Sequence, residues 1–154
     1  MEKEDYMNMA LEEARLAYEE DEVPIGCVIV KDDTILAKSH NEKVKEKKAT
    51  FHAEIIAINR ASEALNNWHL DDCDMYVTLE PCIMCAGAII NSRIKNVYIG
   101  ASDFKGGAFG SSINILEANN INHHPHIEKG LLEEECSELL KSFFKQKRNI
   151  KSKT

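Results

Sequence analysis

The 154-residue sequence lacks long hydrophobic runs, and no apolar stretch approaches the ~20 residues that a transmembrane helix needs. Its N-terminus, MEKEDYMNMALEEAR, is acidic, whereas a signal peptide has a positively charged segment followed by an apolar one. We therefore expect a cytoplasmic protein with no part in a membrane.

Cysteine is scarce and odd in number, with five residues in the chain. In a reducing cytosol such a set argues against a disulfide framework. A Cys-x-x-Cys pair in this setting is more often a metal or redox site, and Cys82 and Cys85 form one such pair.

Internal repeats, low-complexity tracts and a recognisable domain linker are also absent. The length suits one domain with a sizeable core. We expect residues 1–154 to form a single domain that ends in a basic helix and tail.

The sequence has no excess of positive charge: it contains 19 Lys and Arg residues and 26 Asp and Glu residues, which gives a net charge of −7. This balance by itself does not suggest a nucleic-acid binder. Two segments depart from it: residues 141–154 carry six bases and no acid, and residues 42–48 carry four lysines and two glutamates. They are either ordinary solvated surface or a phosphate-binding surface, with Phe143 or Phe144 available for base stacking.

The hydrophobic pattern predicts strands that alternate with helices, which indicates an α/β layered domain. Helices are predicted at 3–20, 52–65, 82–92 and 131–148. A hairpin is predicted at 25–31 and 34–40, and further strands at 74–80 and 94–100. The connections include a lysine-rich loop at 41–50 and a glycine-rich loop at 102–112.

The sequence PCIMC at 81–85 predicts a pair of metal ligands. Pro81 favours a helix start, which makes Cys82 and Cys85 neighbours on one face of the first turn. The free N–H groups and the positive dipole of a helix N-terminus favour thiolates. Two thiolates in this arrangement suit zinc.

A second part of the site is predicted from FHAE, thirty residues earlier. His52 and Glu54 lie two positions apart, so inside a regular helix they would point in roughly opposite directions. They can converge only if the helix begins at His52, and Thr50 is a plausible cap for that start. Two helix N-termini would then meet, one with His52 and one with the cysteines.

No residue is a convincing fourth protein ligand for zinc. The candidates are Cys27, Cys73, Cys136 and the histidines His123, His124 and His126. Three protein ligands and one open position are typical of a catalytic zinc that activates water, whereas a fourth ligand would make the site structural. Glu54 favours a catalytic site as a proton shuttle, although a first-turn glutamate can simply stabilise the helix dipole.

The pattern His-x-Glu followed by Pro-Cys-x-x-Cys, found here at 52–54 and 81–85, is the known signature of zinc nucleobase deaminases. Over nearly its whole length the sequence resembles the bacterial tRNA-specific adenosine deaminases. The segments that carry the resemblance are EVPIGCVIV (22–30), HAEIIAI (52–58), YVTLEPCIMCAGAIINSRIKNVYIGASDFKGGAFGS (76–111) and EKGLLEEECSELLKSFF (128–144). The GASDFKGG loop is more specific to the tRNA enzymes than the two zinc motifs, which the wider cytidine deaminase-like superfamily shares.

The resemblance implies a three-layer cytidine deaminase-like α/β fold, with a central mixed sheet of about five strands flanked by helices. It implies a homodimer that converts adenosine to inosine at the wobble position of a tRNA anticodon stem-loop. One Zn²⁺ per subunit would be bound by His52, Cys82 and Cys85, with Glu54 as the catalytic proton shuttle. The implied substrate-binding residues are Asn41 and the apolar Ile25 and Leu79 at the base, and Asp103 and Lys105 at the flanking nucleotides. Asn122 and one of Phe143 or Phe144, of which Phe144 is predicted, would make further contacts with the anticodon loop.

Two other functions stay open at this point. A zinc deaminase of a free base or nucleotide, such as guanine, cytosine or dCMP, would use the same metal chemistry. A catalytically silent, zinc-stabilised RNA-binding module would need a fourth side chain on the metal.

Overall fold

The computed structural model describes the backbone of residues 1–152 and the side chains of residues 1–150. Lys153 and Thr154 of the predicted basic tail lie outside the described residues. Within this range the helices are α1 (Lys3–Glu19), α2 (Ala53–Leu65), α3 (Ile83–Ser92) and α4 (Glu133–Ser152). The strands are β1 (Gly26–Lys31), β2 (Thr34–His40), β3 (Asp74–Leu79), β4 (Asn96–Ala101) and β5 (His126–Lys129).

The five strands form one mixed sheet in the order β2-β1-β3-β4-β5. Strand β1 is antiparallel to β2 and β3, whereas β3, β4 and β5 are parallel to one another. The amino end of β1 therefore lies beside the carboxyl end of β3, where Gly26 N donates a hydrogen bond to Thr78 Oγ1 at 3.1 Å. Helices α2 and α3 begin close to this edge of the sheet.

Each face of the sheet buries a separate hydrophobic cluster. On one face, α2 and α3 contribute Ala57 and Ile89 to a core that also contains Ile29 and Ile99. On the other face, α1 and α4 contribute Met7 and Leu140. The predicted three-layer α/β fold with about five strands is confirmed. The prediction of one domain across residues 1–154 stays a prediction.

Strand β5 was not predicted from periodicity, and only the resemblance implied a fifth strand. It has four residues, HIEK, and most of them are exposed. A short edge strand with little burial has no clear alternation of apolar and polar residues, so it carries no pattern signal.

Two details of the predicted helix starts are wrong. The N-cap of α2 is His52 and not Thr50, whose carbonyl instead accepts a hydrogen bond from His52 N at 2.8 Å. Helix α3 begins at Ile83, so Cys82 is its N-cap and lies just outside the helix.

Among the described residues, none of the helices combines the length and the apolar character that a membrane span requires.

An ion-pair cluster at His40 connects the end of β2 to α1. His40 Nδ1 lies 2.9 Å from Glu13 Oε1, and His40 Nε2 lies 3.2 Å from Glu20 Oε2. The hydrogen bond with Glu13 raises the pKa of His40, aided by Glu20 and opposed in part by burial.

This cluster predicts a pH-dependent contribution to stability. A group whose pKa is raised on folding stabilises the protein below its unfolded pKa, and this contribution is lost as pH rises through the folded pKa. We expect His40→Gln to lower the free energy of unfolding by about 1 kcal/mol at about pH 6, with a smaller loss at about pH 9. Urea unfolding of both proteins at the two pH values measures this, and an equal loss at both would contradict it.

Candidate metal centre and substrate groove

The two helix N-termini bring one histidine and two cysteines together at the sheet edge. His52 Nδ1 lies 3.6 Å from Cys82 Sγ and 3.5 Å from Cys85 Sγ. All three candidate ligand atoms lie within 4.8 Å of one another. His52 and Cys82 cap α2 and α3 with extended backbone, and Cys85 lies in the first turn of α3.

The chemistry of this donor set fits zinc. One imidazole nitrogen and two thiols are typical zinc ligands, and no other group of three or more possible ligands occurs among the described residues. The pKa of the Cys82 thiol is lowered because the Cys85 thiol and the His52 ring stabilise its thiolate through hydrogen bonds. A thiolate at Cys82 favours a cation, and no fourth His, Cys, Asp or Glu side chain of the described residues joins the three.

None of the other described candidates for a fourth ligand belongs to this group. Cys27, Cys73 and Cys136 are buried and free of disulfides. His123 Nε2 contacts the carbonyl of Ile94 at 2.7 Å, beyond the opposite end of β4. The described chain thus offers three candidate ligands, the number of protein ligands that catalytic zinc sites have.

Glu54 is buried beside this group but is not part of it. Its Oε1 atom has no hydrogen-bond partner within the described residues. Burial raises the pKa of Glu54 to about 7, and the nearby His52 ring opposes this shift in part. A buried carboxylate oxygen without a partner is costly, so it indicates a group that arrives when the site is loaded. With a pKa near neutrality, Glu54 can both accept and return a proton.

Asn41 connects the metal group to the strand that precedes it. Its side-chain oxygen accepts a hydrogen bond from Ala53 N at 2.8 Å, which fixes the start of α2 directly after His52. Its backbone N–H donates to the carbonyl of half-buried Ile25 at 3.2 Å. Because the amide oxygen is used in this way, the amide NH₂ of Asn41 stays free to donate to a ligand.

Four of the predicted substrate residues line one cavity of about 530 Å³. They are Leu79, Asp103, Lys105 and Phe144, from β3, the glycine-rich loop and α4. The structure adds Leu140, Lys147 and Arg148 to the lining. Leu79 ends β3 and lies only three residues before Cys82, so the cavity and the metal group share the carboxyl edge of this strand.

The adjacent phenylalanines of α4 have different environments, as their 100° offset predicts. Phe143 is 5% exposed and packs edge-on against Tyr18 with a ring distance of 5.5 Å. Phe144 is 44% exposed and faces the cavity. The aromatic ring available for stacking is therefore Phe144.

Asn122 lies away from the metal group and the cavity of the same chain. It is exposed and directly precedes His123, whose ring contacts Ile94 at the amino end of β4. The metal group lies at the carboxyl end of the parallel strands, so Asn122 lies towards the opposite end of the sheet.

Several residues of the site were missed by the sequence analysis. Lys147 and Arg148 line the cavity, and the highly exposed Phe104 lies in the glycine-rich loop between Asp103 and Lys105. The aromatic residue within DFKGG was a usable signal. The two buried carboxylates Glu22 and Glu80 had no signal, because burial of an acid follows only from tertiary packing.

Comparison with known proteins matches residues 1–148 to the MafB19-like deaminase family. The chain is 44% identical over 146 residues to the tRNA-specific adenosine deaminase of Bacillus subtilis (strain 168), covering 95% of this chain and 91% of that protein. It is 47% identical over 149 residues to the tRNA-specific adenosine deaminase of Aquifex aeolicus (strain VF5), covering 97% of this chain and 98% of that protein.

Solved structures give a consistent result. A structure from work on A-to-I editing by tRNA:A34 deaminases at the wobble position of transfer RNA matches with a TM-score of 0.86 and 46% identity. That match covers 88% of this chain and 99% of the other. A guanine deaminase from Bacillus subtilis matches with a TM-score of 0.64 and 38% identity, covering 66% of each chain.

Proposed function

Because this chain belongs to the MafB19-like deaminases and, among them, to the tRNA-specific adenosine deaminases, we propose that it converts adenosine to inosine at the wobble position of a tRNA anticodon. The observation that carries the proposal is the grouping of His52, Cys82 and Cys85 beside the unpartnered carboxylate of Glu54.

The reaction is a hydrolysis in which the oxygen of a water molecule replaces the amino group at C6 of adenine, and ammonia leaves. His52, Cys82 and Cys85 would hold one Zn²⁺, which when bound supplies a Lewis acid that makes water nucleophilic near neutral pH. Glu54 takes one proton from the attacking water and delivers it to N1 of the base. It then moves the remaining proton of the new C6 hydroxyl to the amine, so that the C6–N bond breaks, the C6 carbonyl of inosine forms and ammonia leaves.

The base-binding residues are assigned by combining the resemblance with the geometry. The free NH₂ of Asn41 donates a hydrogen bond to the base, and Ile25 and Leu79 form apolar walls. A stacked base cannot reach the metal group, so the target nucleotide must leave the stack. RNA loops are recognised in this way, through unstacked bases and aromatic side chains.

The flanking nucleotides of the anticodon loop occupy the cavity beside Leu79. Phe144 offers a stacking surface, and Lys105 and Arg148 offer charges for phosphates. Asp103 lines the same cavity and contacts the RNA there. Asn122 is the last of the substrate residues that the resemblance implies. Because it lies towards the opposite end of the sheet from the metal group of the same chain, it would contact a different part of the RNA.

Incubation of the zinc-loaded protein with an anticodon stem-loop that has adenosine at the wobble position tests the proposal. We expect inosine at that position and no turnover of free guanine, cytosine or dCMP. Turnover of a free base without turnover of the stem-loop would favour the alternative represented by the guanine deaminase match. Zinc binding and RNA binding without turnover of any substrate would favour a silent module.

A charge substitution in the cavity tests the binding of phosphates. Lys105 and Arg148 line the cavity and form no ion pair within the described residues. We expect the double variant Lys105→Gln/Arg148→Gln to reduce the slope of log K against log salt by about 0.7 for each phosphate that the protein no longer neutralises. Fluorescence anisotropy of a labelled stem-loop at several salt concentrations measures this slope.

A matched control for that experiment is Lys3→Gln/Lys95→Gln. Both lysines lie near the amino ends of β3 and β4, at the other end of the sheet, and the double variant removes the same charge. An equal reduction of the slope in both variants would mean that net charge, and not a local interaction, governs RNA binding.

The protein is further proposed to act as a homodimer in the cytoplasm, where tRNA is processed. Helix α3 supports the dimer: Ile83 is largely exposed, and apart from the adjacent residues and backbone of its own helix, no atom lies within 4 Å of the position where a Cβ of Gly87 would be. An apolar helix that is covered on one side only can accept the same surface of a second subunit. Sedimentation velocity gives the oligomeric state directly.

A further inference from the structure

Three acidic residues are buried among those whose burial the structure describes: Glu22 at 3%, Glu54 at 3% and Glu80 at 2% exposed. Burying a carboxylate is costly unless hydrogen bonds compensate for the lost water. Glu54 faces the metal group and keeps one oxygen unpartnered, whereas Glu22 and Glu80 direct their oxygens to backbone N–H groups of two loops. The proposed reaction uses neither of these two residues.

Glu80 lies at the centre of the glycine-rich loop. Its Oε1 accepts a hydrogen bond from Asp103 N at 3.2 Å, and its Oε2 accepts from Phe109 N at 3.0 Å and Ser111 N at 3.2 Å. Lys129 Nζ, on β5, lies 3.6 Å from Oε1 and balances the charge. One carboxylate thus joins both ends of the loop to the end of β3.

The loop is wrapped tightly onto this carboxylate. A Cβ added at Gly107 would lie 2.4 Å from Cδ of Glu80, so only glycine permits the approach. Asp103 in turn accepts hydrogen bonds through Oδ1 from Lys105 N at 3.0 Å and Gly106 N at 3.1 Å. The positions of Asp103 and Lys105 in the cavity therefore depend on Glu80.

Glu22 has the same relation to the lysine-rich loop at 41–50. Its Oε1 accepts from Val44 N at 3.1 Å and its Oε2 accepts from Lys45 N at 2.7 Å. This loop starts at Asn41 and leads directly into His52, so both of its ends are at the metal group. Lys43, Lys45 and Lys47 form no ion pair within the described residues, which leaves their charges available to an anion.

We propose that Glu22 and Glu80 are positioning residues that hold the lysine-rich and glycine-rich loops as two preformed walls for the RNA loop. The proposal rests on the proposed function, since it names the part of the substrate that the walls receive: the phosphates and nucleotides on either side of the target adenosine. Loops fixed before binding lose less conformational freedom on binding, and this improves affinity without any additional interaction.

The test compares Glu22→Gln and Glu80→Gln in the zinc-loaded protein. Glutamine keeps the volume, but its NH₂ group cannot accept the loop N–H groups and its charge is lost. We expect the Kd and KM for the anticodon stem-loop to rise about tenfold or more in each variant, with a smaller fall in kcat. The matched control is Glu117→Gln, an exposed glutamate beyond the glycine-rich loop.

Amide hydrogen exchange of the free protein gives a readout that does not depend on activity. In Glu80→Gln, exchange should accelerate at Asp103, Phe109 and Ser111 but not at Val44 or Lys45. In Glu22→Gln the opposite selectivity is expected, because each carboxylate bonds only its own loop. Zinc content should stay at the wild-type value in both variants.

Three outcomes would overturn the proposal: unchanged loop exchange, unchanged stem-loop affinity, or an equal loss of kcat and affinity that accompanies zinc loss or general unfolding. The last outcome would make the carboxylates supports of the fold alone. Failure of the proposed function is distinguishable, because wild-type protein would then make no inosine while the exchange pattern still decides whether the carboxylates hold the loops.

Discussion

Replacement of Glu54 by glutamine is expected to reduce inosine formation from the anticodon stem-loop by about 10² to 10⁴-fold, the usual contribution of a general acid–base group. Glutamine has nearly the same shape but cannot accept or release the proton that the reaction moves. The fold and the zinc content should stay unchanged, because Glu54 is not among the three candidate ligands. Single-turnover kinetics and metal analysis of the same sample measure both quantities.

The control for this variant is Glu63→Gln, an exposed glutamate near the other end of the same helix. It should retain wild-type activity. Wild-type turnover in the Glu54 variant would remove this residue from the mechanism, and a loss of zinc together with activity would make it a support of the metal group instead.

Replacement of Cys85 by serine is expected to abolish activity through the metal. A neutral hydroxyl is a poor zinc ligand. Changing a residue that only orients a ligand weakens metal binding by up to about 100-fold, so the loss of the Cys85 thiolate itself should weaken zinc binding by more than that. Purified protein should then contain well below one zinc per chain. Because a metal that binds only the folded state stabilises it, the melting temperature should fall towards that of chelator-treated wild type.

Cys73→Ala is the matched control for the Cys85 variant. Cys73 is also buried and free, but it precedes β3 at the end of the sheet away from the metal group. It should keep one zinc per chain and its activity, with some loss of stability from the smaller side chain. Full zinc content in Cys85→Ser would mean that a residue other than this cysteine completes the site.

The arrangement of the metal group was accessible from local spacing. Because His52 and Glu54 are two residues apart, a shared site required a helix that begins immediately after the histidine, and α2 begins at Ala53. The predicted cap Thr50 was wrong because Asn41, on a different segment, supplies the hydrogen bond to Ala53 N. Spacing within one segment carries no information on such an interaction.

For the substrate residues, too, the sequence indicated the candidates and the tertiary structure decided their positions. The sequence left either Phe143 or Phe144 available for base stacking, and the packing of Tyr18 against Phe143 decided that Phe144 faces the cavity. The resemblance indicated Leu79, Asp103 and Lys105, whereas the proximity of Arg148 and the separate position of Asn122 emerged only from the fold.

By itself, the sequence determined the chemistry of this protein: the residue types, their spacing, and the alternation of strands and helices that forms the sheet. These follow from covalent neighbours and from periodicity, which act over a few residues. The tertiary structure alone decided which distant segments share the cavity, and that Glu22 and Glu80 are buried against loops 22 to 31 residues further along the chain. The physical reason is that a buried carboxylate is defined by what surrounds it, and those surroundings exist only after the chain has folded.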